Sequence, residues 1–414
     1  MLFPETIDLP DATPLRRDAA ARYATLGMPT PKLESWKYTD LRVVQSQTSA
    51  CSIPSIPAAL LGDALRFVFM NGRLIQSSSA LPQGVTIGSI NDVDVKNTLA
   101  QIAPEDQAVS ALNTALYSDG LAVIVAKNIV IDTPIEVSFA GSGPVHVRLA
   151  VVLGENAAAT IIETHAGSAP RTVVTEIDLA DGARLQHYRL QNTETGAVVL
   201  ATGGIRLGKD ALYDSFALTS GGRLSRHQIT ATLTGTGGEV RLNGAHILSG
   251  ESHADTTTEI VHEAPNCRSR ETYRHVMDGT ARSVFQGKIF VAQDAQKTDG
   301  FQLNQSLMLS PTAEVNAKPE LEIYADDVKC SHGATSGRLD EDALFYLRSR
   351  GIPAAAAKQM LIEAFIGSSI DLIENEAVRD AFRAHATRVL GEKGERVMKK
   401  RVLHGSLSLT GEVL

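Results

Sequence analysis

The sequence predicts a mainly β protein, a parallel β-helix (solenoid) core between helical ends, on three observations. From about Gly120 to Leu339, short apolar alternations rich in β-branched residues follow one another without helical interruption: VHVRLAVVL, RTVVTEIDL, RLQHYRL, ITATLTG, SVFQGKIFV. Turn residues separate them, among them Gly154-Glu155-Asn156, Asp181-Gly182, Gly208-Lys209-Asp210 and Asp278-Gly279. Segment starts recur at irregular gaps of roughly 24–32 residues, the window of stacked repeats. A single coil cannot bury its own apolar face, so neighbours stack and share one core. A two-sheet sandwich is the other arrangement, and the length of the uninterrupted β stretch favours the solenoid.

Three regions follow in order. Residues 1–118 are mixed α/β. Ala12–Thr25 reads as a helix that Gly27, Pro29 and Pro31 end. Trp36-Lys37-Tyr38-Thr39 makes a compact turn or short helix with Trp36 as a packing anchor, Leu65–Met70 a strand, and Gln107–Leu116 a second helix. Residues 119–339 are the β-helix core. Residues 340–414 are helical: Asp340-Glu341-Asp342 suits a helix N-terminus, Ala343–Arg350 is stopped by Gly351 and Pro353, and Ala354–Phe365 places Met360, Leu361, Ala364 and Phe365 near one face. A third helix, Glu374–Leu390, carries Val378, Phe382, His385 and Val389. The remaining tail, with its basic Lys399-Lys400-Arg401, reads as a solvated or frayed end.

Composition excludes several classes. No run approaches the roughly 20 apolar residues of a membrane span, and MLFPETIDLPD does not read as a signal peptide. Three cysteines, Cys51, Cys267 and Cys330, fit a reducing cytoplasm better than a disulfide framework. A net charge of −8 and 5% aromatic residues argue against nucleic-acid binding. No P-loop is present: GTARSVFQGK (279–288) has the wrong spacing and Ile289 after its lysine, so no ATP site is expected on this chain.

Candidate chemistry concentrates in Pro319–Thr335, PELEIYADDVKCSHGAT. If a strand continues through Ser331, Cys330 and His332 lie on one face. A thiolate beside an imidazole suits zinc, copper or iron–sulfur species, yet two ligands do not close a four-ligand site. The pair reads either as part of a site completed elsewhere or by a second chain, or as a buried small hydrophobe beside a hydrogen-bonded imidazole. His253, His262, Cys267 and His275 are further soft ligands whose spacing matches no closed zinc site. Glu320 and Glu322, with Asp326 and Asp327, admit a second class, a carbohydrate-active β-helix lyase or hydrolase using acids for calcium or acid–base work. The plainer reading is solvated acids on an outer strand.

Two blocks carry a family resemblance. Val261–Thr335, which includes VHEAPNCRSRETYRHVMDG and KCSHGAT, and PKLESWKYTDLR (31–42) resemble the SufB/SufD family of iron–sulfur cluster assembly proteins. Gly333 stands where SufB-like chains have glutamate, and LMLSPTAEVNAK (307–318) holds no cysteine, so the chain looks SufD-like. The resemblance implies a right-handed parallel β-helix and a non-catalytic scaffold in the SUF system. It implies a SufBCD-type complex with a SufB-like paralogue and a SufC-like ABC ATPase, for which the C-terminal helices, about Asp340–Leu390, are the expected docking region. It also implies a transient iron–sulfur cluster shared with the partner subunit. His332 takes the position of the functionally important histidine and Cys330 that of the neighbouring family cysteine. Exposed strand edges invite pairing with a second chain, so the chain expressed alone has an edge through which it can form a homodimer.

Overall fold

A computed structural model of the protein describes residues 2–4, 6–10, 12–42, 56–95, 98–104 and 107–405, with side chains to 391. Cys51 lies outside these residues. Among them nineteen strands, β1 (Leu65–Met70) to β19 (Lys329–Gly337), form a ten-stranded and a nine-stranded sheet. Odd-numbered strands from β5 (Ile135–Ala140) onward build the first and even-numbered ones the second, because each coil lends one strand to each sheet. All their pairings are parallel, which selects the solenoid over the sandwich, since sandwich neighbours joined by tight turns run antiparallel. Paired positions lie from 26 residues apart (Ala158↔Arg184) to 32 apart (Arg282↔Glu314).

Corners set this period. Asn156, Asp210 and Asn266 adopt φ of 55°, 55° and 60°, and Gly182 and Gly237 between them 69° and 76°. A left-handed residue recurs coil after coil at one corner, and the short polar side chains tolerate it. Each corner bonds to the next: Asn156 N donates to Asp181 O at 2.9 Å, and Gly182 N to Lys209 O at 2.7 Å.

The two ends of the stack differ. At the N-terminal end, β1 is flanked by the antiparallel β2 (Arg73–Ser77), and β4 (Asp119–Val125) by the antiparallel β3 (Val85–Ser89). At the other end, β18 (Glu314–Ile323) and β19 each pair on one side only, with β16 (Arg282–Val291) and β17 (Asp299–Met308).

Helices cover the outer faces. The helix α1 (Pro14–Leu26), a 3-10 turn (Glu34–Trp36) and α2 (Ala108–Leu116) lie on the nine-stranded sheet, where Tyr23, Trp36, Leu41 and Leu112 pack on Val198, Leu200 and Leu224. After α3 (Glu341–Ser349), whose N-terminus Asp340 caps through Asp342 N and Ala343 N, α4 (Ala354–Ile370) and α5 (Glu376–Gly405) cover the ten-stranded sheet. Ile362, Ile366, Ile370, Val378 and Phe382 bury against Ile162, Tyr188, Phe216, Ile247 and Val276.

Two expectations need correction. The face of α4 that packs is Ala357, Ile362, Ile366 and Ile370 rather than the Met360, Leu361, Ala364, Phe365 stripe, and Met360 is exposed. The helix lies beside α5 on the sheet, and its apolar residues are spread nearly all round it, so sequence periodicity does not single out its inner side. The tail read as a frayed end is helical in its backbone through Gly405, although the side chains of Lys399, Lys400 and Arg401 lie outside the description.

Candidate functional site

The open end of the stack carries Cys330 and His332. Corner bonds set the last strand: Lys297 N donates to Asp327 O at 2.6 Å, and Lys329 N to Thr298 O at 2.8 Å. In β19, Cys330 then pairs with Gly300 and His332 with Gln302. Gly300 and Gln302 are buried lumen residues, so both candidate side chains stand on the lumenal face at its mouth. A Cβ on Gly300 would stand 3.3 Å from Cys330 Sγ, so this glycine leaves the thiol its room. Cys330 is half-buried against Ile289, Val291 and Ala325, whereas His332 is exposed because no further coil covers it.

Electrostatics leave the thiol protonated. Burial pushes the Cys330 thiol up, the Gly300 backbone amide holds it back, and Asp299 pushes it up again. A metal cation is the group that would ionise it, since the thiolate is the ligating form. Among the described residues no group of three or more His, Cys, Asp or Glu side chains converges as a metal site.

Below the mouth lies a polar column that the sequence reading did not find. Glu271 on β15 (Arg268–Met277) pairs with Gln302, and Gln302 with His332, one coil apart each time. Glu271 and Gln302 are buried, and Thr258 and Gln302 approach the Glu271 carboxylate without reaching full hydrogen-bond geometry. Burial raises the Glu271 pKa to about 7, tempered by Thr258 and Gln302 nearby. The signal for this column is register: residues 271, 302 and 332 share a face only once coils of 31 and 30 residues are known.

The other candidates separate. His253 meets Thr39 Oγ1 at 3.4 Å, His262 meets Ser269 Oγ at 3.0 Å, and the Cys267 thiol donates to Gly235 O at 3.3 Å. His275 meets His246 ring to ring, Nδ1 to Nδ1 at 2.8 Å, with Ser283 Oγ 2.6 Å from the same nitrogen of His275. That pair is a buried network; His246 is pushed down to about 4 and His275 well below the usual range, burial being the cause in both. Glu320 and Glu322 project from the outer face, where Lys318 and Lys288 stand 3.2 and 2.8 Å from them. Trp36 is 6% exposed, with the Arg226 guanidinium 4.1 Å over its ring, and Arg226 pairs with Asp255 beneath it.

Comparison with known proteins fits this architecture. Residues 138–365 match the family described as SUF system FeS cluster assembly, SufBD core domain, and residues 43–137 match the SufBD protein N-terminal region. The chain is 33% identical to the iron–sulfur cluster assembly protein SufD of Escherichia coli over 390 residues, covering 90% of each chain.

The chain belongs to the SufBD family.

A SufBD family protein of a Synechocystis species (slr0076) is 31% identical over 402 residues, covering 89% of each chain, and the Bacillus subtilis SufD is 26% identical over 287 residues, covering 66% of this chain and 65% of that one. The role of this SufBD protein therefore lies in iron–sulfur cluster assembly. No helix among the described residues is long and apolar enough to cross a membrane. The SufBD core match begins within β5 (Ile135–Ala140) and ends within α4, so it takes in the open end and both candidate ligands.

Proposed function

We propose that this chain is a cytoplasmic, non-catalytic SufD-like scaffold. Its open end joins the open end of a SufB-like paralogue, and a nascent cluster is bound between them with His332 as a ligand from this side and Cys330 beside it. The observation that carries the reading is the last coil, which among the described residues pairs on one side only and carries a thiol and an imidazole on its lumenal face. Unpaired edges recruit strands from other chains, and a two-ligand set needs donors from elsewhere. The cluster is cargo, held until an acceptor takes it.

A SufC-like ABC ATPase supplies nucleotide chemistry from outside this chain. We place its docking surface on α3, which buries none of its side chains and exposes Phe345 at 73% and Tyr346 at 57%. Two large aromatics side by side on a surface helix mark an interaction face.

The test is His332→Ala in the complex co-expressed with its paralogue and ATPase. An exposed side chain at a strand edge alters stability by less than about 0.5 kcal/mol, so folding and complex formation should be unchanged. Iron and acid-labile sulfide carried by the complex should fall severalfold. Equal content in the variant would remove His332 from the site.

A further inference from the structure

The column beneath the mouth has a use that its burial alone does not explain. Five polar atoms in one small region of lumen fall short of full hydrogen-bond geometry: both Glu271 oxygens, both Gln302 amide atoms and the Thr258 hydroxyl, although Thr258 and Gln302 stand close enough to Glu271 to lower its pKa. Each costs on the order of 1–3 kcal/mol when left so, and a core of apolar residues would avoid it. Space is also kept for them. Thr258, Gly287 and Pro319 form a column in the facing sheet. A Cβ on Gly287 would come within 2.7 Å of the Phe285 ring and 3.1 Å of Gln302 Nε2.

We propose that Glu271, Gln302 and His332 form a carboxylate–amide–imidazole ladder that orients the His332 ring, with Gln302 as the positioning residue. The inference rests on His332 being the ligand proposed above. Strands in register lie about 4.8 Å apart, so a rotamer change brings each side chain to its neighbour. The direction of the bonds is fixed from below. Above about pH 7, where Glu271 is ionised, its carboxylate only accepts, so Gln302 turns its NH2 toward it. The Gln302 carbonyl then faces the mouth and accepts the proton of one His332 ring nitrogen. The other ring nitrogen is left bare and directed away from the lumen, in the form that ligates metal. Ligating imidazoles are commonly held through their second nitrogen in this way, and removing such a partner costs about 10- to 100-fold in metal affinity. Cys330 stands opposite Gly300, which offers a backbone amide but no side chain.

The experiment reads the ring itself, in the full chain purified without partners or metal. Histidine labelled with 15N reports the tautomer of each ring by long-range proton–nitrogen correlation, and His332→Ala identifies the signal. The expected result is one dominant tautomer for His332 in the wild type, and the two-tautomer mixture of a free imidazole in Gln302→Leu. Gln302→Glu, which keeps an acceptor, should retain the dominant tautomer. Glu271→Gln should weaken the preference, because its amide no longer dictates which way Gln302 faces. A free-imidazole mixture in the wild type overturns the proposal without any variant being needed. So does a Gln302→Leu chain that folds and keeps the wild-type tautomer. Either result would leave the His332→Ala measurement of cluster content standing, so the ladder and the ligand assignment fail separately. In the co-expressed complex, Gln302→Leu should lower bound iron at least tenfold at limiting iron.

Discussion

Residue by residue, chemistry in this protein follows position on the coil. Cys267 and Cys330 are both thiols raised by burial, but Cys267 ends in a corner bonded to Gly235 O, and only Cys330 reaches the mouth. The sequence showed that Cys330 and His332 share a strand face, because alternation is local. It could not show Gln302 beneath His332, because that neighbour lies a whole coil away. Trp36 illustrates the reverse: its motif is conspicuous, yet its work is packing. Trp36→Ala should destabilise the fold by about 3–5 kcal/mol, by opening a hole over the Arg226–Asp255 pair. Denaturant titration measures this, and cluster content per folded complex should stay at the wild-type value. A loss of cluster with unchanged stability would mean that Trp36 takes part in binding.

At the scale of elements, the C-terminal helices differ in what they bury. The inner faces of α4 and α5 seal the ten-stranded sheet, so deleting everything after Asp340 would expose Tyr188, Phe216, Ile247 and Val276 and make the chain aggregate. Docking of the ATPase is therefore tested on α3, which can be changed without disturbing that seal. The double variant Phe345→Ala/Tyr346→Ala should fold normally and lose at least tenfold in affinity for the ATPase subunit in a pull-down or titration. Undiminished binding would move the docking surface elsewhere. The helices themselves were legible from their stops and caps, Gly351, Pro353 and Asp340 among them. The packed face of α4 was not, because Ala354–Ala357 and the isoleucines beyond leave no polar side to contrast with it.

For the whole molecule, the solenoid was legible because turn residues and period-two runs recur along the sequence. Its lumen was not, because register between strands 26 to 32 residues apart decides which polar groups meet. One result is a run of buried neutral imidazoles, most of them in the lumen, with His146 and His253 on the outer face of the nine-stranded sheet beneath the N-terminal segments. Burial holds His146, His165, His246, His253 and His262 down to about 4, and His227 and His275 well below their usual value. Each is depressed on folding, so its contribution is whole above pH 6.5 and is lost as pH falls toward 4, at about 1.4 kcal/mol per pH unit. Glu271 and Asp214, raised to about 7 by burial, act in the opposite sense and take up protons in the folded state. Glu163 would also rise on burial, but His165, His187 and Arg189 hold it well below the usual carboxylate range, so its share is lost only in stronger acid. Histidines outnumber the two raised carboxylates, and a net of about five protons amounts to about 7 kcal/mol per pH unit. Against a typical stability of about 5–15 kcal/mol, unfolding should be complete between pH 6 and pH 4. Far-UV circular dichroism across that range checks it, and native ellipticity at pH 4 would mean the lumen admits protons.

The unequal ends of the stack also decide how far such proteins can add to one another. The five-residue strands β2 and β3 run against the grain and stop the coil at one terminus, whereas β18 and β19 offer full-length parallel edges at the other. A unit with one sticky terminus can join a single mate and then presents blunt ends on both sides. On the pairing proposed above, growth halts at two units instead of extending into a filament.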